Sequence, residues 1–183
     1  MVDKTLSKVC DGKTPSEILD ISVADIACGS GIFLEEAFAY LQDYCVQWYI
    51  CNGQTDHLIE TGIDLYKLPL QEKKDILCSC IYGIDIDIHA VEVAKFSLLI
   101  KLIEDETAPS VSEVVPILPD LGDNIQFGNS LVSQTELNGI SGANHQMMEI
   151  APFDWSTINN GCGFDVIIGN PPYVNTEGMH ALL

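Results

Sequence analysis

The chain has 183 residues, 47% of them hydrophobic, and its 8 Lys plus Arg face 27 Asp plus Glu, for a formal net charge of −19. The length suits one domain with a real core, and no window of about 18 residues is free of charges and breakers, so no transmembrane helix is expected. So acidic a chain repels phosphate backbones as a whole, and a nucleic-acid role must rest on a local basic patch or on parts outside this sequence.

The opening residues, MVDKTLSKVCDGK, lack the apolar core of a signal peptide, which points to a cytoplasmic setting. A first strand is expected over residues 21–27, ending in Cys28-Gly29-Ser30-Gly31. Leu34, Phe38, Leu41, Cys45 and Trp48 then recur at helical spacing and share one face. Residues 51–74 are polar and punctuated by Gly53, Gly62 and Pro69, which reads as an inserted loop with room for a short helix.

A second strand is expected over 80–85. Asp87 is placed to cap the next helix, whose stripe is Val91, Ala94, Leu98 and Leu102. The acidic run Glu104 to Glu106 reads as a solvated helix end. Pro109, Pro116 and Pro119 mark a loop, residues 124–131 a third strand, and the Gly-, Asn- and Ser-rich stretch 132–163 a second insertion. A fourth strand is expected over 164–169.

Strands alternating with helices predict an α/β sheet of the doubly wound kind. Four strands and two long helices make half of such a sheet, with its core over residues 21–174. A strand such as Val166–Ile168, apolar on both faces, needs neighbours on each side. The chain therefore reads as a partial domain of a larger protein, with an open sheet edge through which it could associate with itself.

Seven cysteines at irregular spacings and four scattered histidines form no metal-ligand pattern, so no metal site is expected and the thiols read as reduced and mostly buried.

Four segments carry candidate chemistry. In Asp25-Ile26-Ala27-Cys28-Gly29-Ser30-Gly31, glycines after a strand and before a helix let backbone approach a ligand. The pattern is neither G-x-G-x-x-G nor a P-loop, which disfavours dinucleotides and triphosphates. Asp25 suits an ammonium and the turn's N–H groups a carboxylate. A tight turn without a ligand is the other reading. In Gly83-Ile84-Asp85-Ile86-Asp87, Asp85 stands where a ribose hydroxyl pair is held in such folds, with Ile86 free to pack on an adenine face. An exposed loop acid is the alternative for Asp85. Asn129, ending the third strand, could bond the exocyclic amine of that adenine.

The fourth segment is Asn170-Pro171-Pro172-Tyr173. Two prolines fix φ and remove donors, leaving the carbonyls of Asn170 and Pro171 and the Asn170 amide oxygen as acceptors beside the Tyr173 ring. That set suits a planar –NH2 group. Two acceptors hold its hydrogens, the ring stacks beneath, and the nitrogen lone pair becomes nucleophilic without a strong base. A proline-stiffened loop is the bland alternative.

Taken in order, DIACGSGIFL, GIDID, LGDNIQFGNSL and FDVIIGNPPYV resemble the adenine-N6 DNA methyltransferases of bacterial restriction–modification systems, in particular the methylase portion of type IIG and type I-like enzymes. The likeness runs over residues 21–174, with little from 51–74 and 132–163. It implies a Rossmann-like methyltransferase sheet, here its first four strands, and S-adenosylmethionine as cofactor. Asp25, Ala27, Cys28, Gly29 and Gly31 would surround the methionine part, Asp85 the ribose, Ile86 and Asn129 the adenine. Asn170 and Pro171 would grip the target amine, Pro172 would brace the turn, and Tyr173 would stack on a base flipped out of double-stranded DNA.

Two departures stand out. Ile26 occupies a position usually held by proline in the family, and a Tyr-Thr-Pro segment ahead of the first strand is not visible, KTPSEIL being a poor substitute. A protein-glutamine or ribosomal-RNA N-methyltransferase poses the same chemical problem and is the enzymatic alternative. A non-catalytic cofactor-binding or interaction module is the other.

Overall fold

The computed structural model describes residues 2–107, 114–133 and 151–170. It opens with α1 (Val2–Cys10), whose Val2, Leu6 and Cys10 fall four apart and are buried. A single turn, α2 (Pro15–Ile18), follows behind a capping box. Thr14 Oγ1 accepts the Glu17 N–H, and the Glu17 carboxylate accepts the Thr14 N–H at 2.8 Å. The sequence reading had assigned neither helix.

β1 (Val23–Asp25) is shorter than the expected 21–27, because the Asp25 side chain takes the Ala27 N–H and turns the chain out of the ladder. α3 (Ile32–Cys51) buries Leu34, Phe38, Leu41 and Cys45 as the spacing predicts, and leaves Trp48 partly exposed.

The expected loop over 51–74 is largely structured. After a 3-10 turn (Thr55–His57), β2 (Ile59–Gly62) and β3 (Leu65–Lys67) form an antiparallel hairpin. α4 (Leu70–Cys80) then starts inside the supposed loop and buries Leu70, Lys73, Ile76, Leu77 and Cys80. A lysine in the buried stripe disguised its periodicity.

That lysine has a partner. Glu106, in the run expected to be solvated, reaches Lys73 at 2.8 Å and Lys67 at 3.0 Å with its side chain fully buried. The expectation for Glu106 was wrong: its carboxylate ties the hairpin and α4 to the end of α5.

β4 (Ile81–Asp85) leads to α5 (Ile88–Ile103). Asp87 caps α5 by accepting the His89 N–H, and Val91, Ala94, Leu98 and Leu102 are buried as predicted. The expected third strand splits at Gly128 into β5 (Ile125–Phe127) and β6 (Asn129–Ser133), and β6 pairs instead with β7 (Pro152–Phe153). Gly128 is the pivot: a Cβ there would lie 2.7 Å from Phe153 Cδ2. β8 (Val166–Ile168) closes the described chain.

β5, β4, β1 and β8 lie side by side in that order, all parallel. Strand order thus reverses at β1, the place where ligands bind outside the carboxyl ends of open α/β sheets.

Registered partners point the same way, so the two faces separate cleanly. Val23, Ile81, Ile125, Val166 and Ile168 join the helical core, in which each fully buried apolar side chain contributes roughly 1.5–3 kcal/mol. Ala24, Tyr82 and Ile84 face the other way, onto Phe153 and Ile158. The supposed insertion 132–163 therefore supplies, in its described part, the cover of the second face. Among the described residues that cover stops short of β8: Val166 and Ile168 are buried and Ile167 is 60% exposed, in keeping with a strand expected to need neighbours from outside this chain.

Candidate active site

The carboxyl ends of β1 and β4 bring the first two motifs together. Asp25 is 1% exposed. Its Oδ1 accepts the Ala27 N–H at 3.0 Å, while its Oδ2 is buried with no hydrogen-bond partner among the described residues. A buried acceptor left unsatisfied is costly, and a ligand donor would offset that cost. Burial pushes the Asp25 carboxyl above the usual aspartate range, the Ala27 N–H pulls it down, and the charge of Asp85 pushes it up again.

Asp85 bridges the two motifs. Its Oδ2 accepts the Gly29 N–H at 2.8 Å and its Oδ1 accepts the Asp87 N–H at 2.9 Å. A carboxylate has about four lone-pair positions, so two remain for a ligand. The Cys28 N–H bonds the Ile84 carbonyl at 3.0 Å, a second tie between turn and strand.

Two glycines are fixed by geometry. Gly29 has φ +53° and faces open space, with nothing within 4 Å of where a Cβ would stand. Gly31, with φ +90°, is the N-cap of α3 and touches α5, where a Cβ would come within 3.1 Å of Ala94 Cβ. At Gly29 the turn presents bare backbone to that open space.

Cys28 lies under this turn, 6% exposed. Burial first, then the Asp85 and Asp25 charges, push its thiol up to about 12. Ile86 is 55% exposed just beyond Asp85. Asn129 is partly exposed, and its Oδ1 accepts the Leu131 N–H at 3.1 Å.

The fourth motif enters through Gly169. Its φ is +155°, and a Cβ there would stand 2.6 Å from Asp25 Oδ1. Only a glycine lets the end of β8 pass so close to the buried carboxylate, and Asn170, which is exposed, follows at once. Pro171, Pro172 and Tyr173 lie outside the described residues.

Some residues of this region escaped the sequence reading. Gly83 is one: a Cβ there would meet Leu34 Cδ1 at 2.8 Å and Cys28 Sγ at 3.1 Å. A glycine inside an otherwise apolar strand is the signal that marks such close approach. Ser130 is another, and its hydroxyl reaches the Ile26 carbonyl at 2.7 Å. Asp165 accepts both the N–H and the hydroxyl of Ser22 at 2.8 Å, fastening β8 to the start of β1.

All eight basic residues of the chain are lysines, the last of them Lys101. Among the described residues no His, Cys, Asp and Glu cluster could hold a metal ion, and no helix is long and apolar enough to cross a membrane.

Comparison with known proteins gives consistent matches. The family described as "Eco57I restriction-modification methylase" matches residues 79–182. The type II restriction enzyme and methyltransferase RM.Eco57I of Escherichia coli is 43% identical over 182 residues, which is 100% of this chain and 17% of that protein. RM.MjaORFECS2P of Methanocaldococcus jannaschii is 34% identical over 122 residues, 67% of this chain and 9% of that protein. The chain thus spans a small part of the relatives it matches.

Proposed function

The chain belongs to the Eco57I restriction-modification methylase family, and from that membership we propose that it carries the donor pocket and the base-gripping turn of an enzyme that methylates the N6 amine of adenine in DNA. The parallel order β5-β4-β1-β8, with its reversal at β1, supports reading the sheet as the first half of a Rossmann-like methyltransferase domain. The observation that carries the proposal is the buried Asp25 Oδ2, unpartnered among the described residues, set beside an open glycine turn and behind the residue that leads into Asn170.

S-adenosylmethionine would supply an activated methyl group on a sulfonium. The residues present fit it: Asp25 offers an acceptor to the ammonium, and the turn from Ala27 through Cys28 to Gly29 and Gly31 offers bare backbone to the methionine part. Asp85 has acceptor capacity left for the ribose. Ile86 gives the adenine an exposed apolar contact, and Asn129 keeps a polar side chain beside it. Two acidic side chains with no lysine between them also suit a ligand of net positive charge.

At the other end of the site, the amide oxygen of Asn170 and the Pro171 carbonyl accept the two hydrogens of the target amine. Pro172 stiffens the turn. Tyr173 stacks on the base once it has left the duplex. Holding both hydrogens localises the nitrogen lone pair, and alignment with the methyl group supplies much of the rate. Double-stranded DNA is the substrate, and phosphate contacts come mainly from outside these residues, given the net charge of −19.

The test is methylation of DNA by the full-length protein with labelled donor, followed by nucleoside analysis. N6-methyladenine is expected. Label in another base, in protein or in ribosomal RNA, or none at all, would overturn the proposal.

A further inference from the structure

We infer that Ser130 is a positioning residue for the donor pocket, acting through the peptide between Ile26 and Ala27 on the carboxylate of Asp25. The inference rests on the reading of that pocket given above. One peptide group is held at both ends. Its N–H, from Ala27, donates to Asp25 Oδ1 at 3.0 Å, and its carbonyl, from Ile26, accepts the Ser130 hydroxyl at 2.7 Å. The peptide plane is thereby fixed, and with it the rotamer of Asp25. Oδ1 is engaged, and Oδ2 is the oxygen left without a partner among the described residues.

The anchor comes from a distant part of the chain, 104 residues from Ile26. Ser130 is itself set by the pivot at Gly128, whose N–H donates to the Asp85 carbonyl at 2.9 Å. The neighbouring Asn129 N–H donates to the Ala151 carbonyl at 2.6 Å. Three strand ends therefore converge on one peptide: β1 provides it, β4 braces the segment that carries Ser130, and the β6 hydroxyl grips it. Loss of the hydroxyl frees the Ile26 carbonyl to rotate. The Ala27 N–H then leaves Asp25 Oδ1, and the acid no longer presents one fixed oxygen.

The experiment, in the full-length protein, compares Ser130→Ala and Ser130→Thr with the unaltered sequence, in the native and the Asp25→Asn backgrounds. S-adenosylmethionine affinity is read by calorimetry and the Ala27 amide by hydrogen exchange. Ser130→Ala is expected to weaken donor binding about 5- to 10-fold, the scale of one hydrogen bond to a neutral group. Ser130→Thr is expected to restore it. In the Asp25→Asn background the same substitution is expected to change affinity less than twofold, because the two residues act in series. Exchange at Ala27 is expected to quicken at least about tenfold in Ser130→Ala while Val23 and Ile81 in the sheet stay unchanged.

Equal losses in both backgrounds would overturn the inference, as would unaltered exchange at Ala27. Should the full-length protein bind no donor, the proposed function fails, and the exchange measurement still decides whether Ser130 holds the peptide.

Discussion

Asp85 accepts the backbone N–H of Gly29 at 2.8 Å across 56 residues of sequence. This bond makes the first two motifs one structure. The acid that would serve the ribose also sets the turn that would serve the methionine. Asp85→Ala should therefore lower S-adenosylmethionine affinity by about 1–3 kcal/mol, the cost of removing a charged hydrogen-bond partner. Calorimetry measures it, and unchanged affinity removes Asp85 from the pocket.

Gly169 brings the end of β8 against the buried Asp25 carboxylate. Gly169→Ala would press a methyl group onto Asp25 Oδ1 and hold alanine at φ +155°. A destabilisation of about 1–3 kcal/mol is expected in urea unfolding, the range for a residue forced into a sparsely populated conformation. Donor binding should fall with it. A variant as stable as its parent would show that β8 can shift freely.

Asn170 separates binding from chemistry. In the full-length protein, Asn170→Ala should abolish methyl transfer and leave donor affinity within about threefold, since in the proposed role the amide would act on the acceptor base. Surviving transfer would strip the residue of its gripping role.

If Asp25 holds the donor as proposed, donor binding should depend on pH. Burial raises it above the ordinary aspartate range. The folded protein thus keeps a proton that the unfolded chain would release, and the free protein loses stability as pH rises through that interval. An ammonium ligand binds the ionised form. Donor affinity should climb with pH from the usual aspartate range up to the raised value and then level off. Asp25→Asn should flatten this slope, and a slope that survives the substitution belongs to another group.

Glu106 makes a stability prediction away from the site. Its carboxylate lies between two lysines whose side chains are 13% and 4% exposed. Glu106→Ala leaves both cations without it, and the cost should be about 3–5 kcal/mol, as for other buried pairs broken on one side. Urea unfolding gives the value. A loss under about 1 kcal/mol would mean that both ammonium groups find water, as at an exposed pair.

Sequence made the site's outline legible where local rules apply. Gly31 must bend into a helix, Asp87 must cap one, and Val91, Ala94, Leu98 and Leu102 declare a buried stripe. It was silent where the cause is a partner far along the chain. The burial of Lys73 has its cause in Glu106, 33 residues further along the chain. Phe153 and Ile158 sit in a stretch that looks like linker, and only the sheet shows that they cover Ala24, Tyr82 and Ile84. Ser130 had no reason to be singled out, because its target is the backbone of Ile26 and carries no side-chain signature.

Cys28 adds a consequence of its own. A sulfur atom near an electrophilic carbon is a hazard, since thiolates are readily alkylated. With a pKa of about 12, only on the order of one Cys28 in 10⁵ is ionised at neutral pH. On the proposed reading, burial first and then the charges of Asp85 and Asp25 would keep this thiol from competing for the methyl group of the donor.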